Sequence, residues 1–269
     1  MSKTIVEITP KGNSSVYIQF KGKPKPISGH RFTALLGLES KNMTKTEILF
    51  DLFGIRFQAE TRIMLLGKIM EAPCINYMYG DEIYLTYSFN EYSGNALDLE
   101  NKNDINGLPD AILPEYGLLV ENKVTTRYVT CQEKWKKQAQ FYAYWWNKLR
   151  KDDTGIEIKK VQVLRYFVNE DNLDWQLNNP YRIIEDNIET YDFDLETEQI
   201  EKDMEVVRQR KEELCATKFE LRKNYSRFIR WLALGSVRGL IKFKVNQDIP
   251  ICKEYMNMIN KYVKEYKKG

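Results

Sequence analysis

Residues 107–124 (GLPDAILPEYGLLVENKV) constrain the fold more tightly than any other stretch of the chain. Two apolar runs, 107–113 and 117–124, are too short for helices and are separated by Pro114-Glu115-Tyr116, a turn sequence. Runs this close pair as antiparallel neighbours, because a parallel return needs a dozen or more intervening residues. In the second run the two-residue period sets Leu119, Glu121 and Lys123 on one face and Val120, Asn122 and Val124 on the other. Glu121 and Lys123 therefore interrupt an otherwise core-like strand, and such breaks of the local rule concentrate at functional sites.

Periodicity elsewhere predicts the remaining elements. Lys21–Pro26 is a basic, extended lead-in, each proline pushing its predecessor out of helix. From Ser28 the pattern is helical, with Phe32, Leu35, Leu36 and Leu38 apolar and Gly37 near the end. Thr44-Lys45-Thr46-Glu47 forms a capping box that opens a second helix ending near Gly54. A third helix covers about 58–79, where Pro73 kinks it or marks its restart. Residues 82–90 (EIYLTYSFN) alternate and read as a strand, and 95–99 as a shorter one. An aromatic-rich helix follows over 131–150, then a strand over 159–168 and a further strand candidate over 181–188. A charged amphipathic helix runs from Leu195 to about Leu214, and 215–269 reads as mostly helical. Helices, then antiparallel strands, then helix and strand predict an α/β (α+β) fold around a mixed central β-sheet.

Composition narrows the chemistry. The 269 residues are 43% hydrophobic and 29% charged, with one histidine and four cysteines. No run reaches the ~18 apolar residues of a membrane span, and Met1-Ser2-Lys3 leads into no secretory segment. Cys74, Cys131, Cys215 and Cys252 are far apart, which argues against a disulfide framework or zinc ribbon and for a reducing, cytoplasmic setting. His30 alone excludes two-histidine metal sites and leaves carboxylate and lysine chemistry. Charge is segregated: residues 1–45 carry a net +6, 181–214 a net −7 and 215–269 a net +9. Basic ends suit a polyanion partner, although solvated helix faces produce the same pattern.

Asp110 and Glu121, from adjacent strands, are hard oxygen donors suited to Mg²⁺ or Mn²⁺. Lys123 beside them can orient a water and neutralise charge developing on a phosphoryl group. Glu-x-Lys by itself is weak, since it recurs at Glu39/Lys41, Glu100/Lys102, Glu157/Lys159 and Glu265/Lys267. The apolar strand before Glu121, and Pro109-Asp110 in the strand before that, set this copy apart.

Pro109-Asp110 … Glu121-Asn122-Lys123 resembles the PD-(D/E)XK nuclease signature, and its flanks resemble the lambda-exonuclease type, the YqaJ-like viral recombinase family. Ile27-Ser28-Gly29-His30-Arg31-Phe32 is similar to that family's opening helix. Gly67-Lys68-Ile69-Met70-Glu71 resembles its helical G-x-x-x-E, and Gln138-Ala139-Gln140-Phe141-Tyr142 its Q-x-x-x-Y helix. Residues 181–188 and the acidic helix after them resemble its last strand and helix.

The resemblance covers about residues 20–214 and implies a restriction-endonuclease-like core. It divides the chain into a lead-in (1–26), a nuclease domain (27–214) and a basic helical C-terminal extension (215–269). It implies Asp110 and Glu121 as metal ligands with Glu71 completing the acidic cluster, Lys123 assisting the attacking water, and Gln138 positioning water or phosphate. Lys23, Lys25, Ser28, His30, Arg31 and Tyr142 would contact DNA phosphate. Lys23 or Lys25 stands where the family carries an arginine, and His30 replaces a small serine, which bears on recognition of a terminal 5′-phosphate.

The implied function is Mg²⁺- or Mn²⁺-dependent exonucleolytic hydrolysis of linear duplex DNA, resecting 5′ ends for phage-type single-strand annealing recombination. The setting would be a bacterial or phage-infected cell, with double-stranded DNA ends and a single-strand annealing protein as partners and a homo-oligomeric ring as the assembly. The alternatives are a restriction-type or structure-selective endonuclease, or a degenerate nuclease fold that binds DNA. Trp135, Phe141, Tyr144, Trp145 and Trp146 read mainly as core. Lys218, Arg222, Lys223, Arg227 and Arg230 recur at helical spacing, as a phosphate-tracking face or a solvated one.

Overall fold

The computed structural model describes residues 5–11, 15–21, 23–39, 43, 45–53, 62–80, 104–217 and 219–222. In chain order these form β1 (Ile5–Lys11), β2 (Ser15–Lys21), α1 (Gly29–Leu36), α2 (Lys45–Leu52), α3 (Arg62–Tyr79), β3 (Ala111–Leu113), β4 (Leu118–Thr125), α4 (Glu133–Leu149), α5 (Lys151–Thr154), β5 (Lys160–Phe167), α6 (Leu173–Asn178), β6 (Ile188–Asp194), α7 (Thr197–Ala216) and β7 (Phe219–Arg222). The chain divides into two compact units, one of residues 26–41 and 60–208, the other of 1–25, 42–59 and 209–269.

The larger unit is built on a four-stranded mixed sheet of order β3-β4-β5-β6. The hairpin over residues 111–125 is antiparallel, with Ala111 opposite Val120 and a 3₁₀ turn at Pro114–Tyr116. Gly117 closes that turn at φ 56°, and a Cβ there would lie 2.8 Å from the Glu157 carbonyl oxygen. β5 joins β4 in parallel across the α4 crossover, and β6 returns antiparallel to β5. Parallel neighbours require such a crossover, which places α4 on one sheet face. Trp135, Ala139, Ala143 and Trp146 of α4 pack there on Ile112, Leu119, Val161 and Val163. On the opposite face Leu66, Met70, Cys74 and Ile75 of α3 cover Ala111, Leu113, Val120, Leu164 and Tyr166. The result is a mixed α/β arrangement, a sheet flanked by helices.

Several boundaries differ from the periodicity. The third helix runs unbroken through Pro73 rather than restarting there. β3 begins only at Ala111, because the carboxylate of Asp110 takes the Asn122 N–H at 2.7 Å in place of a further ladder bond. The strand expected over 181–188 starts instead at Ile188. Before it, the Asn187 N–H bonds the Ile184 carbonyl in a turn, the Ile184 N–H donates to the Tyr166 hydroxyl, and Gln176 holds the Arg182 carbonyl, so several backbone groups that a strand would pair are already bonded. The strand candidates at 82–90 and 95–99 lie outside the described residues.

In the smaller unit, residues read as the basic lead-in contain the hairpin β1–β2, whose second strand also pairs with β7. Val16, Ile18 and Phe20 alternate after Gly12-Asn13, a strand signal masked by the local charge. Residues 219–222, taken as part of a helical extension, form a strand because Phe-Glu-Leu-Arg alternates and finds a partner edge on β2. The helical spacing that linked Arg222 to the later basic residues therefore fails at its start; the remainder of that set lies outside the described residues. Among the described residues no helix is long and apolar enough to cross a membrane.

Candidate functional site

β4 leaves the core at its C-terminal half. Leu119 is buried beneath α4, Glu121 on the same face is 1% exposed, and Lys123 beyond it is half-buried. The Lys123 ammonium donates to Glu121 Oε1 at 2.5 Å. Asp110 enters from the end of β3, held by the Asn122 N–H, and Glu71 from α3 shares a hydrogen bond with Asp110. Strand and helix thus place Glu71, Asp110, Glu121 and Lys123 within reach of one another's charges.

Full ionisation of this group would leave two uncompensated negative charges in a poorly hydrated place. The proton affinities follow. Burial, then the Asp110 charge, pushes Glu121 up to about 8, with Lys123 opposing. Burial, then the Asp110 charge, lifts Glu71 to about 7, again against Lys123. Asp110 is also raised by burial, against the pull of Lys123 and the Asn122 N–H. Burial lowers the affinity of Lys123, but Glu121, Asp110 and Glu71 together outweigh it, so the ammonium holds its proton more firmly than a free lysine.

α4 supplies the site's wall. Gln138 and Tyr142 stand one helical turn apart, and the Tyr142 hydroxyl accepts from Gln138 and from the Gly29 N–H at the start of α1. Burial and the carboxylates of Glu121 and Asp110 drive the phenol's proton affinity up, so it stays neutral. The ring fits because two neighbours have no side chain. A Cβ on Gly29 would lie 2.6 Å from Tyr142 Cζ, and one on Gly107, at φ 148°, 2.4 Å from Tyr142 Cε1.

Of the other residues read as phosphate contacts, Ser28, His30 and Arg31 lie at the start of α1. Ser28 caps α1, its hydroxyl accepting from the Arg31 N–H at 3.4 Å. The Arg31 guanidinium donates to the Pro26 carbonyl at 2.9 Å. His30 is exposed on the first turn, while Lys23 and Lys25 belong to the smaller unit. With the Gly29 and Arg31 N–H groups both bonded, the start of α1 has fewer donors for an anion than an open helix end offers.

Among the described residues, no set of three or more His, Cys, Asp or Glu side chains converges as a ready-made metal centre. The donor chemistry nevertheless suits a divalent cation. Glu121 Oε2 is buried without a hydrogen-bond partner among the described residues, and the acids are hard oxygen donors. A doubly charged cation would match the two charges that Lys123 leaves unbalanced.

Sequence reasoning passed over Gly29, Gly107 and Arg165. The last is a charged residue inside the apolar run VQVLRYFV. The same break of pattern that singled out Glu121 marks it, and it is 1% exposed on β5, paired in register with Lys123. No family model, no curated protein and no solved structure matches the chain.

Proposed function

We propose that this protein is a metal-dependent phosphodiester hydrolase acting on DNA, a PD-(D/E)XK-type nuclease working from the ends of linear duplex. The observation that carries the reading is the cluster of Glu71, Asp110, Glu121 and Lys123, which would hold two negative charges in excess if fully ionised, with one buried Glu121 oxygen unpartnered among the described residues. Asp110 and Glu121, with Glu71 beside them, are the residues that would hold Mg²⁺ or Mn²⁺. The bound ion would supply Lewis-acid polarisation of the phosphoryl oxygen and a more acidic water.

The chain's own residues do the rest. Lys123, kept as an ammonium, donates to the attacking water or the phosphoryl oxygen and offsets the negative charge that grows there. Asn122 orients Asp110 through its N–H, and Glu121 anchors the lysine. Gln138, whose amide donates to the Tyr142 hydroxyl, would position water or phosphate. Attack by water forms one P–O bond and gives up a water proton to solvent, while the bond to the leaving sugar oxygen breaks and that oxygen takes up a proton from solvent.

The test is incubation of linear duplex and of a covalently closed circle with Mg²⁺, with Mn²⁺ and with EDTA. Degradation of the linear substrate that EDTA abolishes, and that Lys123→Ala and Asp110→Ala both abolish while remaining folded, is the expected result. Rapid nicking of the closed circle assigns an endonuclease instead. No metal-dependent hydrolysis of either substrate removes the reading.

A further inference from the structure

The sheet face that carries Glu121 does not end at Lys123. In the register of β4, β5 and β6, Lys123, Arg165 and Glu189 lie side by side, with Thr125 and Phe167 on a later rung. Partnered positions share a face, so a charged row extends from Lys123 across the sheet. The Arg165 guanidinium donates to the Val129 carbonyl at 2.6 Å and pairs with Glu189 at 2.8 Å. The first of these bonds folds the segment after β4 back over the row and lays the Tyr128 ring on the guanidinium, 4.5 Å from its carbon to the ring centroid. The Tyr128 hydroxyl donates to Glu189 at 2.6 Å, and its ring meets Phe167 edge-on at 5.9 Å.

This arrangement inverts the usual economy of a tyrosine. A tyrosine kept for packing buries its ring, and its hydroxyl then finds a partner. Here the hydroxyl is bonded and the residue is 71% exposed. Arg165 covers the inner ring face, so the open surface is the outer one. Exposed Arg127 stands next to it in the chain. A ring already fixed by three contacts loses little freedom when a flat ligand stacks on it.

We propose that Tyr128 is a stacking platform for a nucleobase of the DNA strand that reaches the site, with Arg127 against an adjoining phosphate. The inference rests on the DNA-hydrolase reading for the identity of its ligand. Every base has a π-face, so such a platform holds strands irrespective of sequence.

The test uses the full-length chain and a duplex with a short single-stranded overhang carrying 2-aminopurine, in Ca²⁺ so that binding is read apart from cleavage. Wild-type protein should change the probe's fluorescence on binding. Tyr128→Ala should lose that change and weaken binding about tenfold. Tyr128→Phe should retain it, and Tyr128→Trp should bind more tightly. In Mg²⁺, Tyr128→Ala should raise KM and leave kcat within about twofold. Unaltered fluorescence and KM in a Tyr128→Ala protein that still hydrolyses DNA overturn the platform and leave the hydrolase standing. A Tyr128-dependent signal without metal-dependent hydrolysis does the reverse. Absence of DNA binding by the wild type overturns both.

Discussion

Glu121 sits where two demands conflict. Its carboxylate anchors Lys123 through one oxygen, while burial and the neighbouring Asp110 make its charge unwelcome. Glu71, raised to about 7, and Glu121, raised to about 8, both lie above the ordinary value of 4.5. A carboxyl whose folded-state pKa is raised contributes stability that is fully present below its unfolded pKa and is lost as pH rises through the folded one. Lys123, raised from an already high value, does not titrate in that range. Metal-free protein should therefore lose stability between about pH 5 and pH 9. Glu121→Gln should flatten that decline, and Mg²⁺ should raise Tm more at pH 8.5 than at pH 6. Thermal melts of both proteins across this range, with and without Mg²⁺, check the expectation. Parallel curves for wild type and Glu121→Gln would show that Glu121 does not titrate there.

The fit of α1 and of the strand lead-in against α4 depends on missing side chains. Tyr142 occupies the space that Cβ atoms on Gly29 and Gly107 would fill. Overpacking of this kind typically costs about 1–3 kcal/mol. Gly107→Ala should be the worse of the two, since its φ of 148° is also strained for any residue with a Cβ. The loss from Gly29→Ala should shrink in a Tyr142→Leu background, a coupling that a double-mutant cycle measures. Gly67 is the control: it lies inside α3 with nothing within 4 Å of an added Cβ. Gly67→Ala should raise stability by about 0.5–1 kcal/mol. Chemical denaturation of the wild type and these five variants distinguishes these outcomes, and equal effects at Gly29 and Gly67 would refute the steric argument.

Across the whole molecule, charge is segregated by segment, with a net +9 over residues 215–269. Truncation near residue 214 is a poor probe of that charge, because it also removes β7 from the edge of β2. Replacing Lys223, Arg227 and Arg230 with glutamine leaves β7 in place. If this segment meets DNA, each lost phosphate contact should reduce the slope of log K against log salt by about 0.9. Binding isotherms between 50 and 200 mM salt read the change, and an unchanged slope would assign these residues to a solvated face.

The hairpin around Pro114–Tyr116, the facing of Glu121 and Lys123, the helix ending at Gly37 and the long helix carrying Gln138 and Tyr142 were all legible in the sequence. Each depends on local periodicity or on a turn residue whose backbone preference acts over a few positions. The same rules missed β1–β2 and misplaced the start of β6. In those places, pairing with a distant strand and side-chain bonds from Tyr166 and Gln176 outweigh local preference. Carboxylates at Asp110 and Glu121 were visible as candidates, but their proximity to Glu71, the mutual rise of their proton affinities and the unpartnered Glu121 oxygen exist only after folding. Arg165 and Tyr128 belong to the same class. One is a charge within an apolar strand and the other an ordinary loop tyrosine until sheet register sets Arg165 beside Lys123 and the chain folds Tyr128 back over it. Local sequence sets direction along a strand or helix, whereas charge coupling and stacking depend on through-space distance, which only the tertiary fold decides.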